Sequence, residues 1–409
     1  MNILCISVSS PQESTGGVER YITNLIHFYK DKKDSFLFLI LPTTKEDRIE
    51  IVGNVTIYHD TSLVTPRTTL QHQQISIQAK KFAALMERII KEKNIQIICA
   101  DNIMFGLPAL FSLLLNMVAA IHKTPIVLHL HSFPATELQV ELINQLMWNK
   151  ISCVSQSVAG DCFQKGTSVD ILETHYLGVN TSQFNNEKST STGFKKELGL
   201  SADSKIILSA SRIIRGKHNI LHEKGLINVI KAFSKIYARH PNFYLVIAVG
   251  SSSLVLKNEF DASYEMLLGY IKLHGIQNQT IVKIIKLEDM PRAYKESDLF
   301  VLASENETFG QVFIEAMSCA VPVIGTKVGG IPEIISDSYN GYLVQPNDAS
   351  ILAQKMEKLI NDKITREKFT KAGLKTVKNM FTAENQFVSF HKMMEETINT
   401  KSDFEMFSI

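Results

Sequence analysis

SENETFGQVFIEAMSCAVPVIGTKVGGIPEII, residues 304–335, holds two glutamates, Glu307 and Glu315, eight positions apart. Residues 299–303 before it form a short apolar run that reads as a strand. Residues 305–310 are polar and end in glycine. Residues 311–320 carry Val312, Phe313, Ala316 and Met317 at helical spacing. Glu307 therefore falls in a loop and Glu315 about one turn inside a helix. A strand that feeds a loop and then a helix start turns backbone N–H groups and the positive end of the helix dipole toward an incoming anion. Beyond it, residues 321–325 read as a strand and Gly329-Gly330 as a tight turn. Pro332 suits a first helical position, and Asn340-Gly341 marks another turn. Taken singly, Glu307 is a solvated loop acid and Glu315 a surface acid on an amphipathic helix. The ordered block around them weighs against that reading.

The alternation of apolar strands and amphipathic helices continues along the chain and predicts doubly wound parallel sheets. In the first half, strands are expected over 1–8, 36–42, 55–59, 95–100, 126–131 and 150–154, with a helix over 78–93. In the second half they are expected over 205–210, 244–250, 281–285, 299–303, 321–326 and 341–344, with helices over 348–360 and 381–398. A chain of 409 residues is long enough for two separate cores.

Charge is nearly balanced, with 43 Lys and Arg against 41 Asp and Glu, so no nucleic-acid footprint is present. Cys5, Cys99, Cys153, Cys162 and Cys319 are scattered, without a CxxC pair, and read as reduced, buried thiols of a cytosolic protein. The N-terminal apolar run is too short for a signal peptide and lacks a basic leader. Residues 104–121 approach the length of a membrane span, but Pro108, Ser112 and Asn116 interrupt them. A buried helix of the N-terminal domain is the expectation.

The block 304–335 closely resembles the donor-sugar half of a GT-B glycosyltransferase of retaining family 4 (glycosyl transferases group 1). That family pairs two glutamates separated by seven intervening residues with a small-residue helix, a PVI strand and GGIPE. The resemblance extends over nearly the whole chain. STGGVERYITNLIHFY, residues 14–29, resembles the N-terminal glycine loop and helix. PIVLHLHSF, 125–133, resembles the strand that ends in a histidine near the transferred sugar. SKIILSASRI, 204–213, and HEKGLINVIKAF, 222–233, resemble the segments whose Arg and Lys hold phosphate.

The resemblance implies a GT-B fold, α/β, of two Rossmann-like doubly wound parallel-sheet domains facing across a cleft. It places an acceptor-binding domain over 1–180, a nucleotide-sugar domain over 181–380 and a helix crossing back over 381–409. The hinge is expected near 175–184. The implied activity is retaining transfer of a sugar from a UDP- or GDP-sugar to a hydroxyl of a glycan, lipid-linked or small-molecule acceptor. By resemblance Glu307 takes the sugar hydroxyls beside the backbone amides of Thr308, Phe309 and Gly310. Glu315 takes the ribose hydroxyls, His131 contacts the sugar, and Gly16, Gly17, Arg212 and Lys224 approach the diphosphate. An ionised carboxylate accepts from two vicinal hydroxyls at once, and Arg and Lys suit phosphate oxygens.

The lysine departs from the family spacing. Lys217 lies at the usual short distance from Arg212, whereas Lys224 keeps the register with the following helix. Lys224 is preferred, with residues 214–221 as an inserted loop and Lys217 as the alternative. Asp101 stands where relatives often have a second histidine and is either an acceptor-side base or a strand-end acid capping a helix. His129 and His131 alternate on one strand, but a zinc pair finds no third ligand at a recognisable spacing. No DxD-type carboxylate motif occurs, so neither a metal nor another cofactor is expected. A nucleotide-sugar epimerase or hydrolase, and a non-catalytic nucleotide-sugar-binding protein, stay as alternatives. The expected location is cytoplasmic, with peripheral contact at the inner face of the membrane left open.

Overall fold

The computed structural model describes residues 1–11, 16–64, 72–187, 193–214, 220–250 and 257–404. Lys217, Ser14 and Thr15 fall outside the described residues. Two compact units emerge. One holds the N-terminal strand, Gly17–Tyr176 and the chain from Glu384 onward, and the other holds Gly16 and Leu177–Ala383.

The first unit is built on eight strands, β1 (Asn2–Ser7), β2 (Phe36–Pro42), β3 (Arg48–Val52), β4 (Val55–Asp60), β5 (Ile97–Asp101), β6 (Ile126–Leu130), β7 (Lys150–Cys153) and β8 (Leu172–Thr174). Their order is β3-β4-β2-β1-β5-β6-β7-β8. Sequences such as NILCIS, IICAD and IVLHL are apolar without alternation because helices cover both faces of a parallel sheet. One strand departs from the parallel expectation. β3 pairs antiparallel with β4 through the Gly53-Asn54 turn, where Gly53 has φ of +57°. It lies at the sheet edge, and Ile49 and Ile51 point to solvent.

The apolar stretch near residue 104 also differs from expectation. Pro108 precedes a helix that runs only from Ala109 to Ile121. Phe111, Leu115 and Ala119 are buried, while Leu113, Met117 and Ile121 are exposed at four-residue spacing, so the helix is half-buried rather than enclosed. Among the described residues, no helix is long and apolar enough to cross a membrane. All five cysteines are buried and free. The final helix, Ala383–Phe404, lays Phe387 against Tyr21 and Phe28. The Tyr29 hydroxyl is 2.8 Å from His391 Nδ1 on this helix.

The second unit has six parallel strands, β9 (Lys205–Ser211), β10 (Phe243–Val249), β11 (Thr280–Ile284), β12 (Leu299–Val301), β13 (Val323–Thr326) and β14 (Gly341–Val344). Their order is β11-β10-β9-β12-β13-β14. In each sheet the winding reverses once, between β1 and β5 in the first and between β9 and β12 in the second. In doubly wound sheets, ligands bind outside the carboxyl ends of the strands at such a reversal. Ser7 and Asp101 end β1 and β5, while Ser211 and Val301 end β9 and β12. Arg212 follows β9 directly, and Glu307 to Gly310 lie in the segment after β12.

Candidate active site

In the second unit the chain leaves β12, runs through residues 302–310 and enters the helix Gln311–Ser318, whose N-cap Gly310 has φ of +101° and no side-chain cap. Backbone contacts from two neighbouring segments hold this loop. The amide of Gly330 donates to the Glu307 carbonyl at 3.1 Å, and the amide of Glu305 donates to the Glu223 carbonyl at 2.8 Å. Gly329 (φ +50°) lies so close that a Cβ there would be 1.7 Å from the Glu307 oxygen. A Cβ on Gly225 (φ +65°) would be 1.8 Å from the Ala303 oxygen. Each glycine supplies both a left-handed conformation and space for passing backbone.

This zipping brings together residues 83 positions apart. Lys224 Nζ donates to Glu307 Oε2 at 3.2 Å, and both side chains are about four-fifths buried. Lys224 immediately precedes Gly225, the N-cap of the helix Leu226–Ser234. Arg212 is exposed directly after β9. Thr308 is half-buried. Phe309 turns its ring into the core against Phe381, 5.8 Å between centroids, so its backbone is the part available to a ligand. Phosphate oxygens placed here would meet a lysine and loop amides, and sugar hydroxyls would meet the Glu307 carboxylate.

Glu315 is not the surface acid that a helix position suggests. It is fully buried, and Tyr294 donates to its Oε2 at 3.1 Å. Tyr294 was not foreseen in the sequence, because a tyrosine in MPRAYK has no spacing relation to an acid two elements later.

In the first unit His131 follows β6, and its Nε2 lies 2.8 Å from Asp101 Oδ1. The other Asp101 oxygen accepts from the Ser7 hydroxyl at 2.6 Å. Asp101 is wholly buried, and it does not cap the short helix after β5, whose N-cap is Asn102 without a side-chain bond. Asn102 Oδ1 instead accepts from the His131 backbone N–H at 3.1 Å. The Tyr21 ring lies 4.9 Å from both the His129 and His131 rings.

His129 Nδ1 is 2.9 Å from the Ser152 hydroxyl, which is also 3.3 Å from His175 Nδ1. Burial, reinforced by the two neighbouring histidines, holds the His129 pKa well below its usual value and keeps the ring neutral. The third ligand that sequence spacing lacks is supplied by the fold, since ligating atoms of Asp101, His129 and His131 lie within 4.8 Å of one another. Two of the three are already joined by the Asp101–His131 hydrogen bond. Gly16 is half-buried just before the helix Gly17–Tyr29, and Gly17 is its exposed first residue.

Residues 192–376 match the family model described as Glycosyl transferases group 1. Over 178 residues the chain is 32% identical to the capsular polysaccharide biosynthesis glycosyltransferase CapM of Staphylococcus aureus, covering 44% of each protein. Over 197 residues it is 30% identical to the N-acetyl-alpha-D-glucosaminyl L-malate synthase of Bacillus anthracis, covering 48% of this chain and 47% of that one. The chain spans about half the length of these curated relatives. Among solved structures it is similar to Anabaena HepE in complex with UDP and glucose. The TM-score is 0.75 at 18% identity, with 97% of this chain and 100% of that chain covered. It is also similar to a glycosyltransferase from Rickettsia africae, with a TM-score of 0.79 at 20% identity over 97% of this chain and 98% of that one. These likenesses establish the GT-B fold.

Proposed function

The chain belongs, through residues 192–376, to the glycosyl transferases group 1 family, and on that premise we propose that it is a retaining, family 4 glycosyltransferase that moves a sugar from a UDP- or GDP-sugar to an acceptor hydroxyl. The observation that carries the reading is the Lys224–Glu307 pair at 3.2 Å, beside the uncapped N-terminus of Gln311–Ser318. A sugar 1-diphosphate needs a cation for its phosphate oxygens and a carboxylate to accept from its sugar hydroxyls, and this pair offers both.

In this reading Lys224, Arg212 and the amides of residues 308–310 stabilise the charge that develops on the departing diphosphate. Gly16 and Gly17 let backbone approach the same phosphates. Glu307 orients the hexose, Glu315 takes the ribose hydroxyls and His131 contacts the sugar. The acceptor attacks from the face the diphosphate leaves, and the leaving phosphate takes its proton, so configuration is kept. No side chain serves as a covalent nucleophile. The acceptor is a glycan, lipid-linked or small-molecule hydroxyl, and the setting is the cytoplasm or the inner membrane face. The capsular polysaccharide relative and the UDP-bound neighbour support a nucleotide-sugar donor and a biosynthetic role.

Thermal unfolding of the purified protein against UDP-, GDP- and ADP-sugars tests the proposal, because a donor that binds the folded state raises Tm by mass action. One sugar nucleotide should stabilise it and be consumed with acceptor. No stabilisation by any member would count against the reading. Glu307→Ala should lower kcat more than it raises KM, and Glu315→Ala should chiefly weaken donor binding. Wild-type kcat and KM in either variant would remove that residue from the site. Activity should persist in excess EDTA, since Lys224, Arg212 and loop amides can neutralise the diphosphate. Loss restored by one divalent ion would assign that charge to a metal.

A further inference from the structure

The Asp101 carboxylate is completely buried, and both its oxygens are used. Oδ2 accepts from the Ser7 hydroxyl at 2.6 Å, and Oδ1 lies 2.8 Å from His131 Nε2. A carboxylate only accepts, so the hydrogen of this second bond belongs to the imidazole at Nε2. In the neutral ring the lone pair is then at Nδ1. Tyr21 from the helix Gly17–Tyr29 and His129 from β6 hold the ring's faces and edges, with centroids 4.9 and 4.5 Å away. Asn102 fixes its backbone N–H. Burial keeps the neighbouring His129 ring neutral.

We propose that Asp101 is a positioning residue that, with Ser7, locks His131 in the Nε2–H form, so that Nδ1 accepts a hydrogen bond from a hydroxyl of the transferred sugar. The substrate class this implies is a hexose with a free hydroxyl at the contacted position. The inference rests on the glycosyltransferase reading for its substrate half only. The ring state is a property of the unliganded protein.

Ser7 makes the test selective. Its Oγ already accepts from the Ser9 amide at 3.3 Å, and its own hydrogen needs an acceptor in a buried setting. In Asp101→Asn the amide oxygen satisfies Ser7, which turns the amide NH2 toward His131 Nε2. The ring must then accept there and carry its hydrogen on Nδ1, as a donor where an acceptor was needed.

Nitrogen-15 spectra of the full-length protein, with His131 assigned by its loss in His131→Gln, read the ring directly. The expected result is Nε2–H in the wild type and Nδ1–H in Asp101→Asn, with spectra elsewhere unchanged. In the double variant Ser7→Ala/Asp101→Asn the amide is free to turn, and Nε2–H should return. kcat/KM should fall about 10- to 100-fold in Asp101→Asn, the cost of one mispaired hydrogen bond, and partly recover in the double variant. An unchanged ring in Asp101→Asn, or a changed ring with wild-type turnover, would overturn the proposal. If the wild type consumed no UDP-, GDP- or ADP-sugar, the glycosyltransferase reading and the acceptor role would both fall. The ring spectra would still decide whether Asp101 and Ser7 set the tautomer.

Discussion

Lys224→Ala lowers kcat/KM by about two orders of magnitude, the expected loss when one transition-state charge contact disappears. Lys217→Ala should stay within severalfold. The structure adds a physical reason to the sequence preference for Lys224: its amine already sits 3.2 Å from Glu307 in a part-buried setting. The backbone that carries it is tied to the loop of Glu307 by the Glu305–Glu223 hydrogen bond and the Gly225–Ala303 approach. Because the two side chains are partners, their effects should not add. Glu307→Ala/Lys224→Ala should lose less than the product of the single losses. Steady-state kinetics of the four proteins measure this. A large loss in Lys217→Ala with a small one in Lys224→Ala would move the phosphate ligand to the inserted segment.

Gly329→Ala should be strongly damaging although the residue offers no side chain to a ligand. A methyl group there meets the Glu307 carbonyl oxygen at 1.7 Å, and neither partner is a flexible side-chain end. The residue must also hold φ of +50°, which costs an L-residue roughly 1–2 kcal/mol. With overpacking of about 1–3 kcal/mol added, urea unfolding should show a loss of about 2–5 kcal/mol. At temperatures where the variant stays folded, turnover should fall as well, because relief of the clash displaces Glu307. Wild-type stability would mean that the 305–310 loop shifts freely, and Glu307 would then not be held in place by the glycine turn.

Much of the fold could be read before the structure. FLFLILP fills β2 from first residue to last, and GYLV fills β14, because each is an uninterrupted apolar run between turn residues. β3 was missed, since RIEIV is short, charged at two of its positions and exposed on one side, although Gly53-Asn54 was a usable hairpin signal. The loop position of Glu307 and helical position of Glu315 followed from periodicity. The burial of Glu315 did not, because an acid on an amphipathic helix ordinarily faces water, whereas here Tyr294 donates to it from another element.

The least legible feature was the Ser7–Asp101–His131 chain. It depends on the parallel register Ser7↔Asp101 and Asp101↔His129, which aligns strand ends nearly a hundred residues apart. A strand's sequence shows which residues it buries, but pairing register is set across the sheet. The Lys224–Glu307 contact was hidden for the same reason. It is made by two loops meeting at a winding reversal, a place determined by strand order.

Retaining transfer, as proposed, keeps the anomeric configuration of the donor sugar. Proton NMR of a running reaction, with the sugar nucleotide that raises Tm and its acceptor, reads the newly formed anomeric signal before any mutarotation. The account predicts a product with the same anomeric configuration as the donor. A product of inverted configuration would contradict it.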